Sequence, residues 1–174
     1  MTKIKFGTDG WRAIIADDFT VENVARVTEG VAKWLLKHFT KPSVVVGYDC
    51  RFGGKLFTET IAKVLVHHHI KVIMDKQFVS TPMISLATLK NNASLGIIIT
   101  ASHNPPEYNG YKLKGKYGGP LLPEKIEEVE ALIPDTIKPD YKYTSLKNAE
   151  DKGLLVYQNF EDLYYNHVTQ HFDL

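Results

Sequence analysis

Ser102 is the residue around which chemistry could be organised, within Thr100-Ala101-Ser102-His103-Asn104-Pro105. A serine hydroxyl is a weak nucleophile at neutral pH and needs a base or an electrostatic aid. His103 is adjacent, but neighbouring side chains on an extended loop point to different sides, so a simple Ser–His pair is not expected. No Gly-x-Ser-x-Gly elbow surrounds the serine. Serine, asparagine and proline are also common turn residues. On local chemistry two readings therefore stand side by side: a nucleophile loop, and a capped turn closed by Pro105-Pro106.

Cationic residues follow and precede this loop. Gly110 to Lys116 alternates, and as a strand it places Lys112, Lys114 and Lys116 on one face. One such lysine can face a phosphoryl group. Lys114 and Lys116 are expected on a solvated face, where lysine normally lies. Arg12 closes the turn-rich stretch Gly7-Thr8-Asp9-Gly10-Trp11-Arg12 and carries a guanidinium suited to bidentate phosphate binding. His67-His68-His69 fan out around a helix and cannot converge on one metal, so they read as a solvated helix end. Cys50, between Asp49 and Arg51, reads as a small, partly buried residue rather than a nucleophile.

The elements that would position these residues are legible from hydrophobic periodicity. Thr20 can cap a helix beginning at Val21, with Val24, Val27, Val31 and Leu35 at steps of three and four. Val44–Tyr48, Ile70–Met74 and Leu95–Ile99 are continuous apolar runs of the kind found in strands buried on both faces. A helix opens at Gly53-Gly54, another at Thr81-Pro82 over Met83–Leu89, and another at Pro123, running to about Ile133. This alternation predicts a three-layer α/β/α domain with a mixed, mostly parallel sheet. Open sheets of this kind bind ligands beyond the carboxyl ends of their strands. Asp49 and Arg51, then Ser80 and Thr81, then Ser102 all follow such strands, so these three loops are expected to share one edge.

The core is expected to end near Pro134. Residues 1–140 read as one domain and 141–174 as a linker and connecting helix, with Phe160, Leu163, Tyr164 and Val168 on one helix face. The 174 residues carry a formal charge of +1, which excludes a global basic field for nucleic acid. A single cysteine excludes an intrachain disulfide and a thiolate-rich metal site. The N-terminus lacks a signal-peptide core, and no apolar run reaches the roughly 20 residues that span a bilayer. The cytoplasm is the default expectation.

Phe6-Gly7-Thr8-Asp9-Gly10-Trp11-Arg12, Gly47-Tyr48-Asp49-Cys50-Arg51, Ser80-Thr81-Pro82, the Ser102 loop and Tyr108-Asn109-Gly110-Tyr111-Lys112 occur in this order. Together they resemble the α-D-phosphohexomutase family of phosphoglucomutases and phosphomannomutases, over about Lys3 to Ile133. The resemblance implies the first domain of a four-domain enzyme, with Ser102 as the phosphorylated serine. The serine gives its phosphoryl group to a hexose 1-phosphate, and the resulting bisphosphate returns its other phosphate. Lys112 falls on a general acid/base or charge-stabilising position and His103 on one lining the site. Arg12, Asn104 and Arg51 are expected around the phosphate. Magnesium is implied, reaching Ser102 through its phosphate, with a glucose 1,6-bisphosphate-type activator and a hexose phosphate substrate. The family's Asp-x-Asp-x-Asp magnesium loop occurs nowhere in this sequence, nor do its sugar-reading and distal phosphate-binding loops. The chain is therefore expected to be a truncated first domain, inactive alone and completed by the remaining domains. Ala13 stands after Arg12 where many members carry glycine. A phosphoserine-dependent hydrolase or transferase, or a non-catalytic domain of the same fold, are the competing classes.

Overall fold

A computed structural model describes residues 3–7 and 10–172. Thr8 and Asp9 of the glycine-rich motif lie outside the described residues. Helix α1 (Val21–His38) begins where expected, because the Thr20 hydroxyl accepts the Asn23 amide at 3.2 Å. Strand β2 (Ser43–Tyr48) then leads into α2 (Gly54–His67). The turn between them requires Gly53, whose φ is 77° and where a Cβ would sit 2.7 Å from the Phe57 ring. β3 (Lys71–Met74), α3 (Thr81–Lys90), β4 (Leu95–Ile99) and β5 (Tyr108–Gly115) continue the order read from the sequence. α4 (Pro123–Glu130) stops short of Ile133, and a turn at Ala131 and Leu132 follows it.

Among the described residues six strands form one mixed sheet in the order β1-β5-β4-β2-β3-β6. β4, β2, β3 and β6 are parallel, while β5 runs antiparallel to β4 and to β1. The α/β/α layering follows from the two-residue period of the strands. Val44, Val46, Ile97, Ile99 and Tyr111 turn toward α1 and α2, whereas Val45, Ile73 and Ile98 turn toward α3. Every residue of β4 is buried, each apolar side chain stabilising the fold by about 1.5–3 kcal/mol.

Three expectations are corrected. Trp11–Ile14, read as part of a turn-rich stretch, is edge strand β1, pairing Arg12 with Gly110. The core does not end near Pro134. Beyond it come a 3₁₀ turn (Pro139–Tyr143) with Tyr141 buried, α5 (Leu146–Asp151), β6 (Leu155–Tyr157) and α6 (Phe160–Thr169). β6 adds a parallel edge to β3, and Phe160 is fully buried with Ile84 and Ala87 of α3. The stretch read as linker and connecting helix thus joins the sheet and covers its α3 face. Lys114, expected in solvent, is 6% exposed. Its strand is interior to the sheet, its stem lies over Gly96, and the chain folds back to bridge it at Pro120. Lys116, just past the strand, is exposed. Among the described residues no helix is long and apolar enough to cross a membrane.

Candidate active site

Ser102 lies just beyond the carboxyl end of β4, exposed, with a backbone φ of 56°. A non-glycine residue in this left-handed region costs on the order of 1–2 kcal/mol and persists only where its surroundings hold it. Those surroundings are specific. The Ser102 amide donates to the Thr100 hydroxyl at 3.0 Å, and that hydroxyl donates to the Asp49 carboxylate at 2.5 Å. The other oxygen of Asp49 accepts the Arg51 amide at 2.9 Å. Asn104 closes the turn by donating its amide to the Ala101 carbonyl at 3.0 Å.

A second set of bonds ties the loop after β2 to the loop after β4. Buried Asn109 donates its side-chain amide to the Phe52 carbonyl at 3.1 Å and accepts the Gly110 amide at 2.9 Å. Gly110 must be glycine, since a Cβ there would lie 2.5 Å from the Thr100 carbonyl oxygen. Arg51, expected on the phosphate, points into the loop instead. Its guanidinium donates to the carbonyls of Pro105 and Tyr108 at 2.8 and 3.1 Å, and of Ser102 and Asn104 at 2.8 and 2.5 Å. Its Nε stands 3.7 Å from Asp49.

The remaining expected residues divide. Arg12 donates to the Asn104 side-chain oxygen at 2.8 Å, so these two are brought together. Opposite residues of antiparallel strands point to one face, so Arg12 shares with Gly110 and Lys112 the sheet face away from α1. Lys112 is buried, its stem against Gly10, where a Cβ would sit 2.9 Å from Lys112 Cγ. His103 is exposed, and among the described residues no hydrogen bond joins its ring to Ser102. Cys50 is exposed rather than partly buried. The three histidines do not converge on one point, and His68 contacts Glu29 of α1 at 2.7 Å. Burial pushes the Glu29 carboxyl up, but His68 and Lys33 together outweigh it and hold the group below its ordinary range.

The third expected loop shares this sheet edge, with the Val79 amide donating to the Tyr48 carbonyl at 2.7 Å, but no hydrogen bond among the described residues joins Ser80 or Thr81 to the Ser102 loop. Buried Asp75, after β3, accepts the amides of Gln77 and Phe160 at 2.9 and 2.7 Å, and so pins the start of α6. Thr81 lines a groove of about 710 Å³ between α3, α6 and Tyr117, which includes none of the site residues. Asp49, Thr100 and Asn109 hold the Ser102 loop, a role that sequence reasoning did not assign them. The sequence signal was their place at strand ends: Asp49 and Thr100 follow β2 and β4, and Asn109 is the second residue of β5.

Among the described residues no three His, Cys, Asp or Glu side chains gather around a common point. Near Ser102 the carboxylate of Asp49 is already engaged by Thr100 and Arg51. These residues do not by themselves fit a magnesium ion, which wants one or two carboxylates beside a phosphate.

Residues 3–139 match the model for phosphoglucomutase/phosphomannomutase, alpha/beta/alpha domain I. The chain belongs to this family. It is 38% identical over 136 residues to a phosphoglucomutase of Staphylococcus saprophyticus, covering 75% of this chain and 24% of that protein. A phosphoglucomutase of Staphylococcus aureus USA300 is 35% identical over 144 residues, covering 79% and 26%. The chain thus spans about a quarter of the length of these curated relatives. A Thermus thermophilus structure described as a candidate phosphomannomutase superposes with a TM-score of 0.86 at 32% identity, over 99% of this chain and 37% of that one. That match runs past residue 139, so the family resemblance in structure includes the segment carrying β6 and α6.

Proposed function

We propose that this chain is the phosphoserine domain of a hexose-phosphate mutase. The observation that carries the proposal is the setting of Ser102. It is exposed, left-handed and held by Thr100 of its own loop and Arg51 of the loop after β2, and among the described residues no base is hydrogen-bonded to its hydroxyl. A hydrolytic nucleophile needs a base in contact. A phosphoryl carrier needs placement and neutralising charge, because phosphoryl transfer depends chiefly on both.

In this mechanism the Ser102 Oγ–P bond breaks as the free hydroxyl of a hexose phosphate forms its own bond to phosphorus, and the proton that hydroxyl gives up ends on Ser102 Oγ, the leaving group. The bisphosphate so formed turns over, its other phosphate passes to Ser102 Oγ, and the serine proton ends on the sugar oxygen left behind. Lys112 and Arg12 supply cationic charge from one sheet face, and Asn104 orients Arg12. His103 lines the open side. Magnesium and a bisphosphate activator belong to the activity as the family resemblance implies it, with the metal held chiefly by residues outside this chain. Turnover is therefore expected only with the further domains of the longer relatives.

Peptide mapping of freshly purified full-length enzyme is expected to find a phosphoryl group on Ser102, and Ser102→Ala is expected to abolish mutase activity. Phosphate on another residue alone, with Ser102→Ala fully active, would sink the proposal.

A further inference from the structure

We infer that Arg51 is a positioning residue for Ser102 and not a ligand of the phosphoryl group. A guanidinium has five N–H donors in a fixed fork. Four loop carbonyls, from Ser102 to Tyr108, take donors of its two terminal nitrogens, and Nε faces Asp49. No terminal N–H, the pair that would fork onto a phosphoryl group, is left over for an oxyanion, and Nε is turned to the Asp49 carboxylate at an ion-pair distance of 3.7 Å. The fork binds both sides of the turn at once, with Ser102 and Asn104 on one nitrogen and Pro105 and Tyr108 on the other.

The sequence explains why an arginine is needed there. Pro105 and Pro106 have no amide hydrogen, so the peptides carrying the Asn104 and Pro105 carbonyls cannot close the loop by donating. Their carbonyls still require partners. Within the loop only the Pro105 carbonyl finds one, the Tyr108 amide at 3.1 Å; Arg51 adds a second donor there and supplies the Asn104 carbonyl, and is itself fixed by the bond of its own amide to Asp49. The same Asp49 holds Thr100, which accepts the Ser102 amide. Asp49 and Arg51 therefore grip the serine from its amide and its carbonyl, the two peptides that define its left-handed conformation. Lysine cannot replace this fork, since an ammonium is a point donor that does not span four carbonyls.

Hydrogen exchange on the 174-residue chain tests the grip without any phosphate, independently of the phosphoserine proposal. The amides of Ser102, Asn104 and Tyr108 each have a loop acceptor. In Arg51→Ala and Arg51→Lys they are expected to exchange about 10- to 100-fold faster, as local opening becomes easier, while amides of β2 and β4 keep their protection. Millimolar guanidinium should restore slow exchange in Arg51→Ala and not in Arg51→Lys. A second arm installs phosphoserine at 102 and follows its second ionisation by ³¹P NMR. Removing a direct ligand would raise that pKa by about one unit, whereas a positioning residue should change it by less than about 0.3. Unchanged loop exchange in a folded Arg51→Lys, or a shift near one unit, would overturn the assignment.

Discussion

Thr100→Val isolates the bond network under Ser102. Valine has nearly the shape of threonine, so no cavity forms in this buried site and only the hydroxyl is lost. That hydroxyl makes two bonds. The one to the Asp49 carboxylate, at 2.5 Å, is of the charge-assisted kind that contributes about 1.5–3 kcal/mol. Asp49 keeps 24% of its side-chain surface, so water recovers part of this. The other bond, from the Ser102 amide at 3.0 Å, contributes about 1 kcal/mol. A net loss of about 1.5–3 kcal/mol follows, which lowers the Tm of a domain this size by about 4–10 °C. Urea titration of the 174-residue chain measures it, with Thr100→Ser as the control that keeps the hydroxyl and stays closer to the parent. The serine should also lose its fixed backbone, so Ser102 amide exchange accelerates in Thr100→Val more than in Thr100→Ser. Stability within about 0.5 kcal/mol of the parent, with Ser102 exchange unchanged, would refute the view that this network holds the serine.

Lys112→Met in the full-length enzyme is expected to lower kcat by about 10²-fold or more, the scale of one electrostatic or acid–base group, while exposed Lys116→Met does far less; equal losses would remove the special role of Lys112. Gly96→Ala places a Cβ 2.2 Å from Thr88 Oγ1 and should destabilise the chain by about 1–3 kcal/mol in chemical denaturation, by pushing α3 off the sheet. Glu128 is held at about 2, against an ordinary 4.5, by its bonds to Lys125, Trp34 and His38. Its folded pKa is depressed, so its stabilisation is present above the unfolded value and lost as pH falls from about 4.5 to 2. Glu128→Gln should flatten that part of a stability–pH curve; an unchanged acid limb would refute the pairing.

The central strands and the first two helices were legible because long apolar runs and three-to-four spacing dominate their sequences, and the third helix from its Thr81-Pro82 start. What escaped was short or set from a distance. β1 has four residues and no alternation of apolar and polar types, so only its pairing with β5 makes it a strand. β6 has three residues and exists because β3 offers it an edge. Lys114 obeys the expected alternation, sharing its face with Lys112, but the covering of that face comes from α3 and the turn at Pro120. The Ser102 loop was visible as a motif, and its neighbours were visible as residue types. The direction of Arg51 was not, because an arginine two residues past a strand can face a ligand or its own protein equally well. Only the placement of four carbonyls around it decides between them.

The two loops that bear the site are fixed by the sheet in a definite order. β2 and β4 are adjacent and parallel, so Asp49 and Thr100 emerge side by side, and the Asp49 amide donates to the Ile99 carbonyl at 3.1 Å. β5 then returns antiparallel along β4, which brings Gly110 back under Thr100 and Asn109 within reach of Phe52. The bonds that hold Ser102 therefore join segments already placed by three neighbouring strands. β1, the outermost strand on that side, adds Arg12 opposite Gly110 and directs it at Asn104. On the other side of β2, Asp75 after β3 is bonded to Phe160 of α6, while Val79 of the same loop donates to the Tyr48 carbonyl at the end of β2. A parallel α/β sheet usually gathers ligands where adjacent loops diverge. The candidate site lies at such a point, since the chain leaves β2 toward β3 and leaves the adjacent β4 toward β5 on the other side, and the returning β5 then locks the Ser102 loop.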